Sequence, residues 1–409
     1  MRIGGIQVLD LSPFIEHEVV FPESPTRGTL GEVHLFTGPN GTGKSRLLSV
    51  LAASTVSNCP IPSERFPQAL KIQDTYKYTE QDHLANLIDL ATGKNICNVI
   101  RPQEYLSLLA FAFSGSLLIQ NSKLEVLKNV ALPNAQERLS FNSWIPTDIN
   151  QRIANLKVQA AMELMNGDPK NPGRTLKIAQ RLESSVSEIT GRRFSVIAQA
   201  NPEPKLLFQW GDRTLPIEGL PAGLSSLLAW MFAAATVMDL TYPGSKDPLA
   251  EEAFFFLDEP ETYLHPEWQR RILPLAQRLF PNSQFFVATH SPFVVSSVTE
   301  GFIYQLNPDA EGEVTISAAI PASKGDSYIT AVSEILGLSE WFDPETEKLL
   351  VEFRTQRDAT LKGNLEAETK TRALAESISA RSAELANMMG MELRQFDRQL
   401  EKLTASAKS

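Results

Sequence analysis

The sequence predicts an α/β fold, in which a mixed β-sheet is flanked by helices and carries an inserted helical lobe and a C-terminal helical tail. A glycine-rich loop at 38–45 follows an apolar, β-branched run and precedes an apolar segment with helical spacing. Two short, unbroken apolar runs, 253–257 and 284–288, are typical of strands buried on both faces of a parallel sheet. After about Asp343, a charged stretch with apolar residues at intervals near three and four indicates helical structure.

The first half of the chain mixes strand and helix signals. Residues 3–9 and 17–21 place apolar residues between turn signals, which predicts strands. Within 55–130 we expect a helix near 80–91 and a strand over the apolar run 108–119. Residues 147–190 carry leucines and alanines at helical spacing, interrupted by a loop at 166–173, and they predict a two-helix hairpin inserted in the fold.

The second half supplies the remaining elements. Strands are predicted at 193–199, 205–210, 253–257, 284–288, 301–306 and 314–318, and helices at 223–240 and 266–279. The tail predicts an amphipathic helix that packs on a body or partner, with Gly390 as a possible break. We therefore divide the chain into an N-terminal core part (1–130), an inserted helical lobe (131–192), a C-terminal core part (193–340) and a helical tail (341–409).

Composition limits the classes of function. A net charge of −10 argues against bulk electrostatic binding to nucleic acid, although a local basic groove stays open. Cys59 and Cys97 are too few for a disulfide framework, and we expect both to be buried small apolar side chains. The N-terminus lacks the pattern of a signal peptide, and we find no apolar run that approaches 18 residues. The expected location is the cytoplasm, with no membrane span.

The loop Gly38-Pro-Asn-Gly-Thr-Gly-Lys-Ser45 matches G-x-x-x-x-G-K-[ST] between a strand and a helix, the context that this motif requires. Its glycines let backbone N–H groups converge on an anion, and the following helix adds its positive dipole end. Lys44 can reach the β- and γ-phosphates, and the Ser45 hydroxyl can ligate Mg²⁺. The loop predicts nucleoside triphosphate binding, with ATP and GTP not distinguished by these residues, by Asn40, Gly41, Thr42, Gly43, Lys44, Ser45 and Arg46.

The run at 253–257 ends in two acids, Asp258 and Glu259. An acid at the carboxyl end of a buried strand beside the glycine-rich loop can complete the ligands of Mg²⁺, and we assign that role to Asp258 together with Ser45. Glu259 is suited to polarise the attacking water. The run at 284–288 is followed by His290, which we expect at the same edge of the sheet, in contact with the γ-phosphate.

Together, residues 38–45, Leu257-Asp-Glu-Pro-Glu-Thr-Tyr-Leu-His-Pro266 and Thr289-His-Ser-Pro292 resemble the ABC-type ATPase fold. The branch they resemble is that of the AAA-family ATPases related to OLD nucleases, RecF and SMC heads. The resemblance extends over residues 1–340 and implies ATPase activity. It also implies a dimer in which ATP lies between the glycine-rich loop of one subunit and a signature segment of the other.

The signature segment is expected at the start of a helix before the two acids, where Leu220-Pro-Ala-Gly223-Leu-Ser-Ser-Leu227 lies. Pro221 replaces the serine of the family pattern, so backbone N–H groups near Gly223, or the hydroxyl of Ser225 or Ser226, would have to contact the nucleotide of the partner. The glutamine of the family's Q-loop has two candidates, Gln103 and Gln120, and a third alternative is that the stretch Ala112-Phe-Ser114-Gly occupies this position without a glutamine.

The sequence leaves several partner classes open. We find no toprim-like cluster of acids after His290, so the chain is expected to carry no nuclease domain of its own. The whole chain most resembles the PtuA-type ATPase components of Septu anti-phage systems, which implies a separate effector such as an HNH nuclease. The alternative is a RecF- or SMC-like DNA-repair ATPase that acts directly on nucleic acid. An ATP-gated dimer with no role at nucleic acid is also open.

Overall fold

A computed structural model describes residues 2–55, 70–77, 82–89, 94–102, 109–119, 122–125, 128–141, 148–166, 173–199, 201–322, 331–335, 342–364 and 366–406. Cys59, Gln103 and Gln120 lie outside these ranges. The chain divides into two compact units, Met1–Leu336 and Gly337–Ser409.

The first unit contains fifteen strands and seven α-helices among its described residues. The strands are β1 (Gly5–Val8), β2 (His17–Val20), β3 (Glu32–Thr37), β4 (Leu70–Lys77), β5 (Asp82–Asp89), β6 (Asn95–Pro102), β7 (Leu109–Ser114), β8 (Phe194–Gln199), β9 (Lys205–Trp210), β10 (Arg213–Pro216), β11 (Ala253–Asp258), β12 (Gln284–Ala288), β13 (Phe302–Pro308), β14 (Val314–Ile316) and β15 (Ile320–Pro321). The helices are α1 (Lys44–Ala53), α2 (Ala135–Arg138), α3 (Ile149–Asn166), α4 (Arg174–Thr190), α5 (Ala222–Thr241), α6 (Pro266–Leu279) and α7 (Pro292–Val295).

The central sheet has the order β14-β13-β3-β12-β11-β7, with β15 also paired to β13. Strands β13, β3, β12, β11 and β7 run parallel, so their carboxyl ends meet at one edge. Alternate residues of β11 face opposite sides: Phe254 and Phe256 join one hydrophobic cluster, while Phe255 and Leu257 join another. Both faces are covered, which confirms that the run at 253–257 is a strand of a doubly covered parallel sheet.

The five-stranded sheet corrects one expectation. Its order is β2-β1-β6-β5-β4, and all neighbours are antiparallel. The helix expected near 80–91 is wrong, because β5 occupies this stretch and pairs with β4 and β6. Burial alternates there, with Ala85 and Leu87 buried and Asn86 and Ile88 partly exposed. Pairing on both sides therefore decides the structure against the local helical spacing.

The expected two-helix hairpin is confirmed as α3 and α4. Their apolar faces, including Ile153 and Leu182, belong to the same hydrophobic cluster as Phe255 of the central sheet. Helix α5 is apolar on all sides and lies in this cluster too. By length and composition α5 could cross a membrane, but 94% of its most apolar window is buried inside the protein, as expected of a core helix.

The second unit contains α8 (Pro344–Leu361), α9 (Glu366–Ser379) and α10 (Ala383–Ser406). Asp343 caps α8, since its carboxylate accepts hydrogen bonds from the N–H groups of Glu345 and Thr346. The helical tail is confirmed, but its apolar residues are shared among helices. Leu350, Phe353, Ile378 and Met389 pack together, so the helices build a small core of their own. Gly390 lies inside α10 and breaks nothing.

Candidate functional site

Polar groups from several strands converge at the carboxyl edge of the central sheet. The glycine-rich loop follows β3, Asp258 ends β11, and Thr289 and His290 follow β12. Parallel strands bring these groups together although as many as 252 residues, from Gly38 to His290, separate them in sequence, because every strand of the set ends at the same edge.

The glycine-rich loop wraps around the lysine side chain. The Lys44 ammonium donates to the carbonyl oxygens of Gly38 at 2.8 Å and Pro39 at 2.9 Å. Burial lowers the pKa of Lys44, and the nearby carboxylates of Glu259, Asp258 and Glu261 oppose this shift. The lysine therefore presents a cation inside a loop of backbone dipoles, with carboxylates next to it.

Gly43 shows why this loop needs glycine. It precedes the first residue of α1 with φ of 85°, in the left-handed region, and a Cβ at this position would lie 2.9 Å from the Phe14 ring. Other loop side chains are engaged within the chain, since Thr42 Oγ1 donates to the Pro39 carbonyl and Arg46 donates to the Ser12 carbonyl. The loop is thus held in shape by its own contacts.

The serine of the loop meets the first acid of β11. Ser45 Oγ donates to Asp258 Oδ1 at 2.9 Å and lies 3.0 Å from Oδ2. A hydroxyl and a carboxylate in contact offer hard oxygen ligands, which Mg²⁺ prefers. Among the described residues, no group of three or more His, Cys, Asp or Glu side chains could hold a metal. Such a pair suits a cation that takes its other ligands from phosphates and water.

Glu259 and His290 face each other across the ends of β11 and β12. The His290 Nδ1 and Glu259 Oε1 atoms are 3.2 Å apart, and the side chains are 53% and 42% exposed. Glu259 has φ of 49°, an uncommon value for a residue with a side chain. Its N–H donates to the Ala288 carbonyl, and Gly115 leaves room for the turn because a Cβ there would overlap the Glu259 carbonyl.

Glu261 also belongs to this edge, although the sequence motifs predicted no role for it. Its side chain is 6% exposed and accepts a hydrogen bond from Thr289 Oγ1, while its Oε2 atom is buried without a hydrogen-bond partner. Burial raises the pKa of Glu261 to about 7, and the negative charges of Glu259 and Asp258 add to this shift, while the Thr289 hydrogen bond opposes it. The sequence signal was the second glutamate of the Asp-Glu-Pro-Glu run, but spacing alone does not reveal that it points inward.

The signature segment begins α5, as expected, but its serines point inward. Ser225 Oγ accepts from the Ile119 N–H at 3.0 Å, and Ser226 Oγ donates to the Gly115 carbonyl at 2.9 Å. Both side chains are almost fully buried. The expectation that either hydroxyl replaces the missing serine is corrected, because both bond within the chain. Gly223 packs against the Tyr263 carbonyl, which a Cβ would approach to 2.6 Å.

The fold and this edge define an α/β P-loop protein with the layout expected of an ABC-type ATPase head. A family model described as "AAA domain, putative AbiEii toxin, Type IV TA system" matches residues 169–296, a span that includes Asp258, Glu259 and His290.

The chain is also similar to individual curated proteins. The chain is 26% identical over 191 residues to the Retron Vc95 probable ATPase of Vibrio cholerae, covering 46% of this chain and 37% of the relative. It is 22% identical over 306 residues to the Septu protein PtuA of Bacillus mycoides, covering 71% of this chain and 38% of the relative. The resemblance to PtuA-type ATPases is thereby confirmed. The matched segments span well under half the length of each relative.

Among solved structures, an SMC head bound to the C-terminal winged-helix domain of ScpA aligns at 14% identity and a TM-score of 0.43, covering 78% of this chain and 98% of that one.

Proposed function

We propose that the protein binds ATP with Mg²⁺ at the carboxyl edge of the central sheet and hydrolyses it to ADP and phosphate. The observation that carries the proposal is the contact between Ser45 and Asp258 beside a glycine loop that encloses the Lys44 ammonium. The likeness to the Retron Vc95 probable ATPase supports the same activity. Ser45 and Asp258 would hold Mg²⁺, which neutralises phosphate charge when bound.

In this mechanism, Lys44 and the backbone N–H groups of the loop bind the β- and γ-phosphates, with the positive end of the α1 dipole behind them. A water oxygen attacks the γ-phosphorus, and the bond to the bridging oxygen of ADP breaks. Glu259 accepts the proton of the attacking water. His290 donates a hydrogen bond to a γ-phosphate oxygen, and its contact with Glu259 keeps both groups on the same side of the site.

The test is the hydrolysis rate of ATP with purified protein. Lys44→Ala is expected to abolish nucleotide binding, whereas Glu259→Gln should retain binding and lower the hydrolysis rate by roughly 100-fold or more. Lys94→Ala is the matched control, because Lys94 is exposed and its ion-pair partner Asp10 is not among the residues assigned to the nucleotide. Hydrolysis at the parental rate by Glu259→Gln would contradict the role of this glutamate.

We further propose that ATP drives dimerisation and that the dimer controls a separate effector, such as a nuclease, in anti-phage defence. The likeness to Septu PtuA supports this proposal. The first N–H groups of α5, near Gly223, which have no acceptor within a helix, would contact the γ-phosphate held by the partner, since the adjacent serine hydroxyls point inward. In this proposal the two core parts, 1–130 and 193–340, form the ATPase head, 131–192 forms its inserted helical lobe, and the tail 341–409 docks the effector.

The test of assembly is the mass of the Glu259→Gln variant with and without ATP and Mg²⁺. A doubling of the 45.3 kDa mass only with nucleotide is expected. Co-purification of a nuclease with the protein from its native host would support the effector, and its loss on removal of 341–409 would assign docking to the tail. A nucleotide-dependent dimer that binds DNA by itself would favour the RecF-like alternative.

A further inference from the structure

We infer that Glu261 and Thr289 form a positioning pair that holds His290 in register with Glu259. The inference rests on the proposed function and adds two residues for which the motifs gave no role. It joins the turn after β11, which carries Glu259, to the end of β12, which carries His290.

A continuous chain of side-chain hydrogen bonds links the two segments. Thr289 Oγ1 donates to Glu261 Oε1 and accepts from the Ser291 N–H at 3.0 Å. Ser291 Oγ then donates to Gln269 Oε1 at 2.6 Å, and Gln269 Nε2 donates to the Leu264 carbonyl at 2.9 Å. The chain of bonds starts and ends in the turn 258–264 and passes through both neighbours of His290.

His290 needs such support because packing does little to fix it. Its ring is 53% exposed, so few neighbours restrict its rotation. Thr289 before it and Ser291 after it are nearly fully buried and hydrogen-bonded. The backbone on either side of the histidine is therefore fixed, and the direction in which the ring leaves the chain follows from it.

Glu259 needs support for a different reason. A residue with a side chain at φ of 49° costs free energy and persists only where the surrounding structure holds it. Glu261 follows two residues later, and the turn closes through the Thr262 N–H to the Glu259 carbonyl and the Leu264 N–H to the Glu261 carbonyl. Anchoring the Glu261 carboxyl in the interior thus fixes the turn that presents Glu259.

The burial of Glu261 is hard to explain as a stabilising feature. One of its oxygens has no partner, and two further carboxylates, of Asp258 and Glu259, lie near it. A buried carboxyl in this position costs stability, and its raised pKa reflects that cost. A costly group that bonds the residue next to His290 is consistent with a role in the reaction.

The experiment compares Thr289→Val, which keeps the shape of the side chain and removes both hydrogen bonds, with Thr289→Ser, which keeps the hydroxyl. Thr289→Val is expected to lower the kcat of ATP hydrolysis by roughly 10- to 100-fold, with the KM and the affinity for ATP changed by less than about twofold. Thr289→Ser should restore most of the kcat. Glu261→Gln, which keeps an acceptor oxygen, should cost less kcat than Glu261→Leu.

The His290→Ala background isolates the route of the effect. If Thr289 acts through His290, adding Thr289→Val to His290→Ala should lower kcat no further. A ring resonance of His290, followed with ¹³C-labelled histidine, should shift in Thr289→Val and return in Thr289→Ser. A purely structural role would instead lower the melting temperature and the affinity for ATP together.

The outcomes separate this inference from the proposed function. Parental kcat and an unmoved His290 resonance in Thr289→Val, with hydrolysis still abolished by Lys44→Ala, would overturn the positioning pair alone. Fully additive losses in the His290→Ala background would do the same. A parent that shows no hydrolysis sensitive to Lys44→Ala would overturn the proposed function and, with it, this inference.

Discussion

The two ends of the central sheet carry polar clusters of opposite kinds. At the amino end, Glu32 of β3 accepts hydrogen bonds from His34, Gln284, Arg2 and the Ser24 N–H, at 2.8 to 3.0 Å. Every side chain of this set that lies on β3 or β12 is at most 3% exposed. At the carboxyl end, Glu259 and His290 are about half exposed.

The difference separates a structural cluster from a reactive one. Burial alone would raise the pKa of Glu32, but the His34 hydrogen bond and the nearby charges outweigh it and lower that pKa to about 2. Glu261, at the other end, has a pKa raised to about 7. The carboxylate of Glu32 is thus fully hydrogen-bonded at one end of the sheet, whereas the carboxyl of Glu261, at the other end, has one oxygen without a partner beside the proposed nucleotide site.

The largest effect is expected on the hydrolysis activity, from substitutions at the carboxyl end of the central sheet. Asp258→Asn should lower Mg²⁺-dependent hydrolysis by roughly 100-fold or more, because the amide is a poor substitute for the carboxylate at a cation. Its free energy of unfolding should change by less than about 1 kcal/mol, since removing one of several clustered negative charges relieves repulsion. Hydrolysis assays and urea denaturation measure the two quantities. A large loss of stability would contradict the view that the polar cluster at the carboxyl end of the sheet serves activity rather than stability.

At the buried amino end of the sheet, a substitution should instead lower the stability of the protein. Glu32→Ala is expected to lower the free energy of unfolding by about 3 kcal/mol, because it leaves several buried donors without their acceptor. The matched control is Glu311→Ala, in an exposed turn, with an expected change of less than about 0.5 kcal/mol. Similar stabilities of the two variants in urea would mean that the buried network contributes little.

A third effect depends on pH. The folded-state pKa of Glu261 lies above its ordinary value of 4.5, so the cost of ionising this buried carboxyl appears as the pH rises from 4.5 through about 7. The free energy of unfolding of Glu261→Gln minus that of the parent should therefore be larger at pH 8 than at pH 4.5, by up to about 3 kcal/mol. Urea denaturation at both values measures the difference. A constant difference across this range would show that the carboxyl is not the titrating group.

The smallest effect concerns the separate helical unit. Gly390 lies inside α10, and a Cβ there would meet Arg394 at an ordinary contact distance of 3.7 Å. Gly390→Ala should stabilise this unit by about 0.5 to 1 kcal/mol through helix propensity. Gly244→Ala, in a loop with open space around it, serves as the control. A destabilised Gly390→Ala variant would point to a need for glycine on this helix surface.

The local pattern of apolar residues was sufficient to locate an element wherever burial of that element's own side chains decides its structure. The buried strands β11 and β12 and helix α6 lie where the sequence predicted them, because a short apolar run or a one-sided helical stripe has few other solutions. Strand β5 was missed because its structure depends on pairing with β4 and β6, which the helical spacing of its own apolar residues does not reveal. The break between α9 and α10 was missed because alanine- and glutamate-rich sequence continues through it.

In the site, too, some features could be predicted from the sequence and others could not. The spacing of the motifs predicted that Ser45, Asp258, Glu259 and His290 would meet, and they do. Spacing does not reveal the direction of a side chain at a helix start or in a turn. For that reason the Ser225 hydroxyl was expected to contact the partner's nucleotide but is buried and hydrogen-bonded within the chain, and Glu261 was given no role although it bonds Thr289 beside His290.

The most direct test of this account is a calorimetric titration of ATP with Mg²⁺ into the parent, Lys44→Ala and His34→Gln. His34 lies on β3, the strand that precedes the glycine loop, in the buried cluster at the amino end of the sheet. We predict binding by the parent and by folded His34→Gln, and none by Lys44→Ala. Binding by Lys44→Ala at parental affinity would contradict the assignment of the carboxyl edge as the nucleotide site.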